Sequence, residues 1–294
     1  MTKIKYSETF YSAQGEGKYV GIPSLWLRFF LCNLQCNGFG QCNPTDPSTY
    51  ELPFETIDIS NITRVEDLPV FDKGCDSSYT WSKRYSHLIT ERSVQETVDN
   101  LTALLPGGSF QHPKSSQWAH MVFTGGEPML RKSQDGIIAI LSEFGRRGNM
   151  PKYVTIETNG TQPITSDLAA FISEFEINGG EWYWSISPKL WSTAGEKHKR
   201  AIKPEVVGSY TLSASNGQLK FVVNGSKESW EEVEQNTQLF REAGCNFPVW
   251  IMGVGGTLEG LKITEAMIAD EAIQRGYNYT SRVHVHIYGN AIGK

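Results

Sequence analysis

Short apolar, β-rich runs alternate with amphipathic helical patterns along most of the chain, and that alternation limits the fold more than any other feature. The runs are Ser24–Phe30, Ala119–Thr124, Tyr153–Glu157, Trp182–Ser187, Leu219–Val223, Val249–Gly253 and Val283–Tyr288. Helical patterns fall between them at Ser93–Leu105, Ser133–Phe144, Ser166–Phe175, Lys227–Ala243 and Thr264–Arg275. Ser93 and Glu96 have capping-box spacing, Val94, Val98, Leu101 and Leu105 recur on one face, and Pro106-Gly107-Gly108 ends that pattern. Gly145, Gly244 and Gly276 stand where glycine C-caps are expected. Strands alternating with helices imply parallel pairing through right-handed crossovers. About six such units fit, too few for the eight of a closed barrel. The expected class is α/β, an open or partial barrel with its chemistry at the strand C-terminal ends. Residues 37–74, rich in Pro, Thr, Asp and Asn, interrupt the rhythm. A structureless connection that long is either functional or an insertion.

Composition removes several function classes. A chain of 294 residues, 39% hydrophobic and 20% charged, can bury a core without disulfides. Its formal charge of −5 excludes a chain-wide basic field for nucleic acid. No apolar run reaches the roughly 18 residues of a membrane span, and the N-terminus lacks a signal-peptide core. A cytoplasmic location with reduced thiols is expected. The five cysteines, Cys32, Cys36, Cys42, Cys75 and Cys245, are odd in number and clustered, which suits metal binding better than a disulfide framework.

Two motifs carry chemistry. Leu31-Cys32-Asn33-Leu34-Gln35-Cys36 directly follows the first run. This pair fits either two buried thiols or soft ligands to zinc or an iron–sulfur cluster. Zinc would need a further ligand such as His87 or Cys245, and no second paired motif follows. Thr124-Gly125-Gly126-Glu127-Pro128 ends the second run. Its glycines would let backbone approach a ligand, and Glu127 could pair with a cation there. Read alone, it is also an ordinary strand-to-helix turn.

In this order, the two motifs resemble the radical S-adenosylmethionine (SAM) superfamily. Further matches are Ala13-Gln14-Gly15-Glu16-Gly17, Arg28, Glu157-Thr158-Asn159-Gly160-Thr161, Ser185-Ile186-Ser187-Pro188-Lys189, His284 and Tyr288-Gly289-Asn290. Together they are similar to the 7-carboxy-7-deazaguanine synthases, from residue 10 to the C-terminus. That family contracts the ring of 6-carboxy-5,6,7,8-tetrahydropterin to a deazapurine with loss of ammonia, in 7-deazapurine (queuosine-type) biosynthesis. The resemblance implies one partial (β/α)6 barrel domain over 1–294, a 4Fe–4S cluster, SAM and Mg²⁺. It also implies a flavodoxin-type electron donor and a homodimer, with no nucleic-acid or membrane partner.

This chain departs from the family at the third cysteine. Phe39 stands where Cys-x3-Cys-x2-Cys would place it, and Cys42 is the nearer substitute. Cys75-Asp76-Ser77-Ser78-Tyr79-Thr80-Trp81, however, resembles the family's third cysteine and the residues after it. The expected ligands are therefore Cys32, Cys36 and Cys75, with 37–74 inserted between the second and third. Gly74 replaces an aromatic there, so packing for the adenine would come from elsewhere, such as the insertion. By the resemblance, Gly74, Asp76, Gly125, Gly126, Glu127, Ser187, Pro188 and Lys189 hold SAM, and Ser77 holds Mg²⁺. Ala13, Gln14, Gly15, Glu16, Arg28, Thr124, Glu157 and His284 hold the pterin, Arg28 taking its carboxylate. The resemblance implies no catalytic side chain, since the cofactor carries the radical chemistry. The competing readings are an activase of a glycyl-radical enzyme and a non-catalytic iron–sulfur module. His120 and Cys245 are expected to be structural.

Overall fold

The computed structural model describes residues 3–294. Its strands are β1 (Lys3–Ala13), β2 (Pro23–Phe29), β3 (Thr90–Ser93), β4 (His120–Gly125), β5 (Tyr153–Thr158), β6 (Glu181–Ile186), β7 (Gly217–Val223), β8 (Val249–Gly253) and β9 (Asn278–Tyr279). All join one sheet in the order β3-β1-β2-β4-β5-β6-β7-β8-β9. Every neighbouring pair from β2 to β9 is parallel, whereas β1 is antiparallel to both β2 and β3. The fold is thus α/β with a mostly parallel sheet. Parallel strands buried on both faces need apolar runs without interruption; Met121, Val122 and Phe123 of β4 are wholly buried.

The helices are α1 (Pro53–Thr56), α2 (Val94–Leu104), α3 (Arg131–Arg146), α4 (Ser166–Ile177), α5 (Trp191–Ala194), α6 (His198–Ala201), α7 (Pro204–Ser213), α8 (Lys227–Glu242), α9 (Leu258–Gln274) and α10 (Val283–Tyr288). The long ones cover one sheet face, and the main core lies between, with Phe29, Ile140, Phe144, Trp182, Trp184 and Phe240 among its members. The capping box of α2 forms as the sequence predicts. Among the described residues no helix is long and apolar enough to cross a membrane.

Several expectations change. The run Val283–Tyr288, read as a strand, is the helix α10, and β9 takes the sheet edge instead. Its Val-His-Val-His-Ile-Tyr alternation imitates a strand, but only Val285 is buried and Ile287 is 58% exposed. Gly145 is not a cap: α3 continues through it to Arg146, while Glu143 pairs with both Arg146 and Arg147 at 2.7 Å. Helix α9 starts earlier than expected because Thr257 caps it, accepting from the Gly260 N–H at 3.2 Å. Strands β1 and β3 and helix α7 had no counterpart in the apolar pattern. The 37–74 segment is not structureless. Its Phe54, Val65, Leu68 and Phe71 pack with Tyr79, Tyr85 and Leu88 into a small second core.

Candidate active site

The chain leaves β2 into the cysteine loop through Leu31, whose φ of +84° turns it sharply. The Leu31 N–H donates to Thr80 O at 2.6 Å, and its carbonyl accepts from the Glu127 N–H at 2.8 Å. A Cβ on Gly126 would lie 2.0 Å from Leu31 O. Glycine is required at that position because two loops touch there, so protein backbone and not a ligand explains it. Glu196, buried, accepts from the N–H groups of Gln35 and Cys36 at 2.7 and 2.9 Å and pins the loop.

Cys32, Cys36 and Cys75 come together in one packed cluster with Leu34, Phe39, Ala194 and Ala201. Cys75 returns because the Gly74 N–H donates to Phe39 O at 2.7 Å, which closes the excursion. All three thiols are free and line one large cavity, whereas Cys42 is exposed and lies outside it. Burial pushes Cys32 up to about 12, with Glu127 adding to it, and Cys75 up to about 11, with Asp76 adding to it. Cys36 is raised well above the usual thiol range by burial. Among the described residues no three His, Cys, Asp or Glu side chains lie close enough to hold a single metal ion. A multi-iron cluster spreads its thiolate ligands wider than that, and three soft donors around one cavity fit such a group.

The same cavity is lined by Ala13, Gln14, Gly15, Glu16, Arg28, Gly74, Asp76, Ser77, Thr124, Gly125, Gly126, Glu157, Ser187, Lys189 and His284. Two expected residues do not reach it. Pro188 is buried away from the lining. Glu127 is wholly buried and points inward, accepting from Met129 N–H (2.9 Å), Thr158 Oγ1 (2.6 Å) and Asn159 N–H (2.8 Å). Three protein donors engage both oxygens of that carboxylate, so it ties the β4 loop to the end of β5. The insertion contributes Phe39 and Phe71 to the lining, and the Lys189 ammonium lies 5.8 Å from the Phe39 ring.

Charges alternate across the cavity wall. Glu157 Oε1 accepts from Gln14 Nε2 at 3.2 Å and its Oε2 from Thr124 Oγ1 at 3.0 Å. Glu16 pairs with Lys220 and, at 3.1 Å, with Arg282, which also reaches Asp76 at 2.6 Å. Burial opposes the ionisation of Glu16, yet those two cations hold it well below the usual carboxylate range. Arg28 Nε meets Glu8 Oε1 at 2.5 Å, and its Nη1 lies 3.5 Å from Ser77 Oγ. Ser77 Oγ in turn donates to Asp76 Oδ1 at 3.2 Å. His284 packs on the Gly15 backbone, and burial followed by Arg282 lowers it to about 4.

Glu8, Lys220 and Arg282 are absent from the sequence-based set. Lys220 carried the clearest signal, a lone cation inside the apolar run Leu219–Val223.

The Gln14–Ile22 turn follows the antiparallel β1 and so lies at the opposite end of the sheet from the cysteine loop, at the N-terminal ends of the parallel strands. Tyr19 packs edge-on against His120 and Tyr183, with ring centroids 4.6 and 4.7 Å away. His120 stacks on Tyr153 at 4.7 Å, and Lys18 sits over the Tyr19 and Tyr183 rings. Gly17, at φ +73°, fits against Gln218 where any Cβ would collide. His120 is structural, as expected, and the rings form a floor beneath the N-terminal ends of β4, β5 and β6.

No family model matches the chain. The 7-carboxy-7-deazaguanine synthase of Rhodopirellula baltica is 26% identical, covering 99% of this chain and 89% of its own. That of Halobacterium salinarum is 27% identical over 98% of this chain and 91% of its own. That of Pyrobaculum aerophilum is 25% identical over 99% and 98%. The crystal structure of QueE from Escherichia coli aligns with a TM-score of 0.51 at 15% identity, covering 97% of this chain and 96% of that one. This last likeness bears on the fold alone.

Proposed function

We infer that the chain belongs to the 7-carboxy-7-deazaguanine synthases and contracts 6-carboxy-5,6,7,8-tetrahydropterin to 7-carboxy-7-deazaguanine with loss of ammonia, a step of queuosine-type 7-deazapurine biosynthesis. One observation carries the reading. A single cavity receives the thiols of Cys32, Cys36 and Cys75 together with Gln14, Glu16, Arg28, Thr124, Glu157 and His284, from segments scattered over the chain. Neither a bare iron–sulfur module nor an activase of another protein needs that second set. In this reading the sheet is a partial (β/α)6 barrel within one domain, and 37–74 is an insertion in its cluster loop.

Cys32, Cys36 and Cys75 would hold a 4Fe–4S cluster, with the Leu34 N–H 3.4 Å from Cys32 Sγ to tune it. When bound, the cluster would supply the single electron that cleaves a carbon–sulfur bond of the SAM sulfonium, releasing methionine and starting radical chemistry on the pterin. Gly74, Asp76, Gly125, Gly126, Ser187 and Lys189 form the nucleoside side of the cavity. Arg28 offers the free edge of its guanidinium to the pterin carboxylate. Glu157, oriented by Gln14 and Thr124, offers acceptors to ring N–H groups. Ser77, beside Asp76, would supply an oxygen of the kind that suits Mg²⁺. A flavodoxin-type donor, a homodimer and a cytoplasmic location complete the proposal.

Anaerobic incubation of reconstituted protein with SAM, reductant, Mg²⁺ and the tetrahydropterin should yield carboxydeazaguanine by mass spectrometry. A cluster-loaded protein that cleaves SAM but makes no deazapurine would overturn this reading.

A further inference from the structure

We propose that Glu8 is a positioning residue that sets the Arg28 guanidinium for the substrate carboxylate; the inference rests on the reading of Arg28 given above. Tyr6 lies opposite Phe29, and both belong to the core under the helices. Regular alternation would put Ser7 opposite Arg28 and keep Glu8 on the face of Tyr6. Instead the register shifts between Tyr6 and Glu8, so that Glu8 stands opposite Arg28. The extra residue, Ser7, turns an acidic side chain from the helix-covered face to the cavity face. Bulges re-aim side chains beside active sites in this way. Phe10 and its partner Trp26 continue along the same cavity face.

On that face Glu8 Oε1 accepts from Arg28 Nε at 2.5 Å and from the Tyr79 hydroxyl at 2.8 Å. The Glu8 side chain is 2% exposed, and Oε2 has no partner. A buried carboxylate with an unmade bond is costly, and packing alone does not call for one. Holding Nε fixes the plane of the guanidinium, and its two terminal nitrogens, of which Nη1 makes one long contact to Ser77 Oγ at 3.5 Å, keep donors for a second, bidentate partner. A carboxylate arriving there meets a fork that is already ordered.

The test is equilibrium binding of 6-carboxypterin and its neutral 6-carboxamide to the anaerobic, cluster-loaded protein, as wild type, Glu8→Gln and Glu8→Ala. Both substitutions remove the charge, but only Gln keeps an oxygen for Arg28 and Tyr79. The difference between the two variants therefore reports orientation. Wild type and Glu8→Gln should prefer the carboxylate, and Glu8→Ala should lose about tenfold of that preference with carboxamide affinity unchanged. Equal preference in the Gln and Ala variants overturns the proposal. So does an equal loss of both ligands in Glu8→Ala, the mark of a merely structural residue. If Glu8→Ala does not fold, Tyr79→Phe takes its place: preference should drop about threefold, and no drop overturns the proposal. A wild type indifferent to the carboxylate overturns the reading of Arg28 and this inference with it, a result seen before any variant is made.

Discussion

The residues after Cys75 favour it over the nearer Cys42 as third ligand, and in the fold one hydrogen bond, Gly74 N–H to Phe39 O, separates the two. Cys75 stands on the cavity side of that closure and Cys42 on the exposed excursion. Cys75→Ala should abolish retention of reconstituted iron, and Cys42→Ala should keep it, as measured by iron content and cluster absorbance. Iron retained in the first variant and lost in the second would make Cys42 the ligand. Glu196 carries a related expectation. Its two accepted bonds to Gln35 and Cys36 involve a charged group, worth about 1.5–3 kcal/mol each. Glu196→Ala should therefore loosen the loop and speed cluster loss in air, followed by absorbance; an unchanged rate would show that the thiols alone hold the loop. The spacing of Cys32 and Cys36 could be read directly, because ligands four apart need only a local turn. The role of Glu127 could not. Its motif looks the same whether the carboxylate faces a ligand or, as here, three donors of its own protein.

At the level of elements, legibility follows burial. Strands β2 and β4 to β8 were readable because burial on both faces demands continuous apolar runs. Strand β1 was not, since Lys3-Ile4-Lys5-Tyr6-Ser7-Glu8 alternates and then slips at the bulge, which leaves no mark in composition. That slip also hid Glu8. Helix α10 failed for the opposite reason: it is too short for a helical period to outweigh a chance alternation. Where a local signal was complete, the element followed. The Ser93–Glu96 box makes both of its bonds, Ser93 N–H to Glu96 Oε2 at 2.9 Å and Glu96 N–H to Ser93 Oγ at 3.2 Å. Ser93→Ala should cost about 1 kcal/mol in chemical denaturation. A loss below a few tenths would mean that packing against β1 alone sets the start of α2.

For the whole molecule, acid is the condition to which stability should respond. Burial, joined at His284 by Arg282, lowers His120 and His284 from 6.5 to about 4. Between those values the unfolded chain binds protons that the folded chain refuses. Their contribution is complete above pH 6.5 and is lost as pH falls toward 4. Urea midpoints should decline across that window, and His120→Phe should flatten part of the decline; an identical slope would exonerate the floor. That floor of Tyr19, His120, Tyr153 and Tyr183 has a kinetic meaning as well. The rings brace the Gln14–Ile22 turn, which reaches across to Thr280 and Gln218 and makes the cavity a blind well, with Gln14 and Glu157 lower in the shaft than Ser187 and Lys189. A blind well fills from the bottom and empties from the top. The pterin should therefore enter first, and bound SAM should slow its escape in stopped-flow displacement, while bound pterin leaves the escape of SAM unhindered. Pterin departing at one rate with or without SAM would show a second way out. Traffic through this cavity should otherwise run in single file.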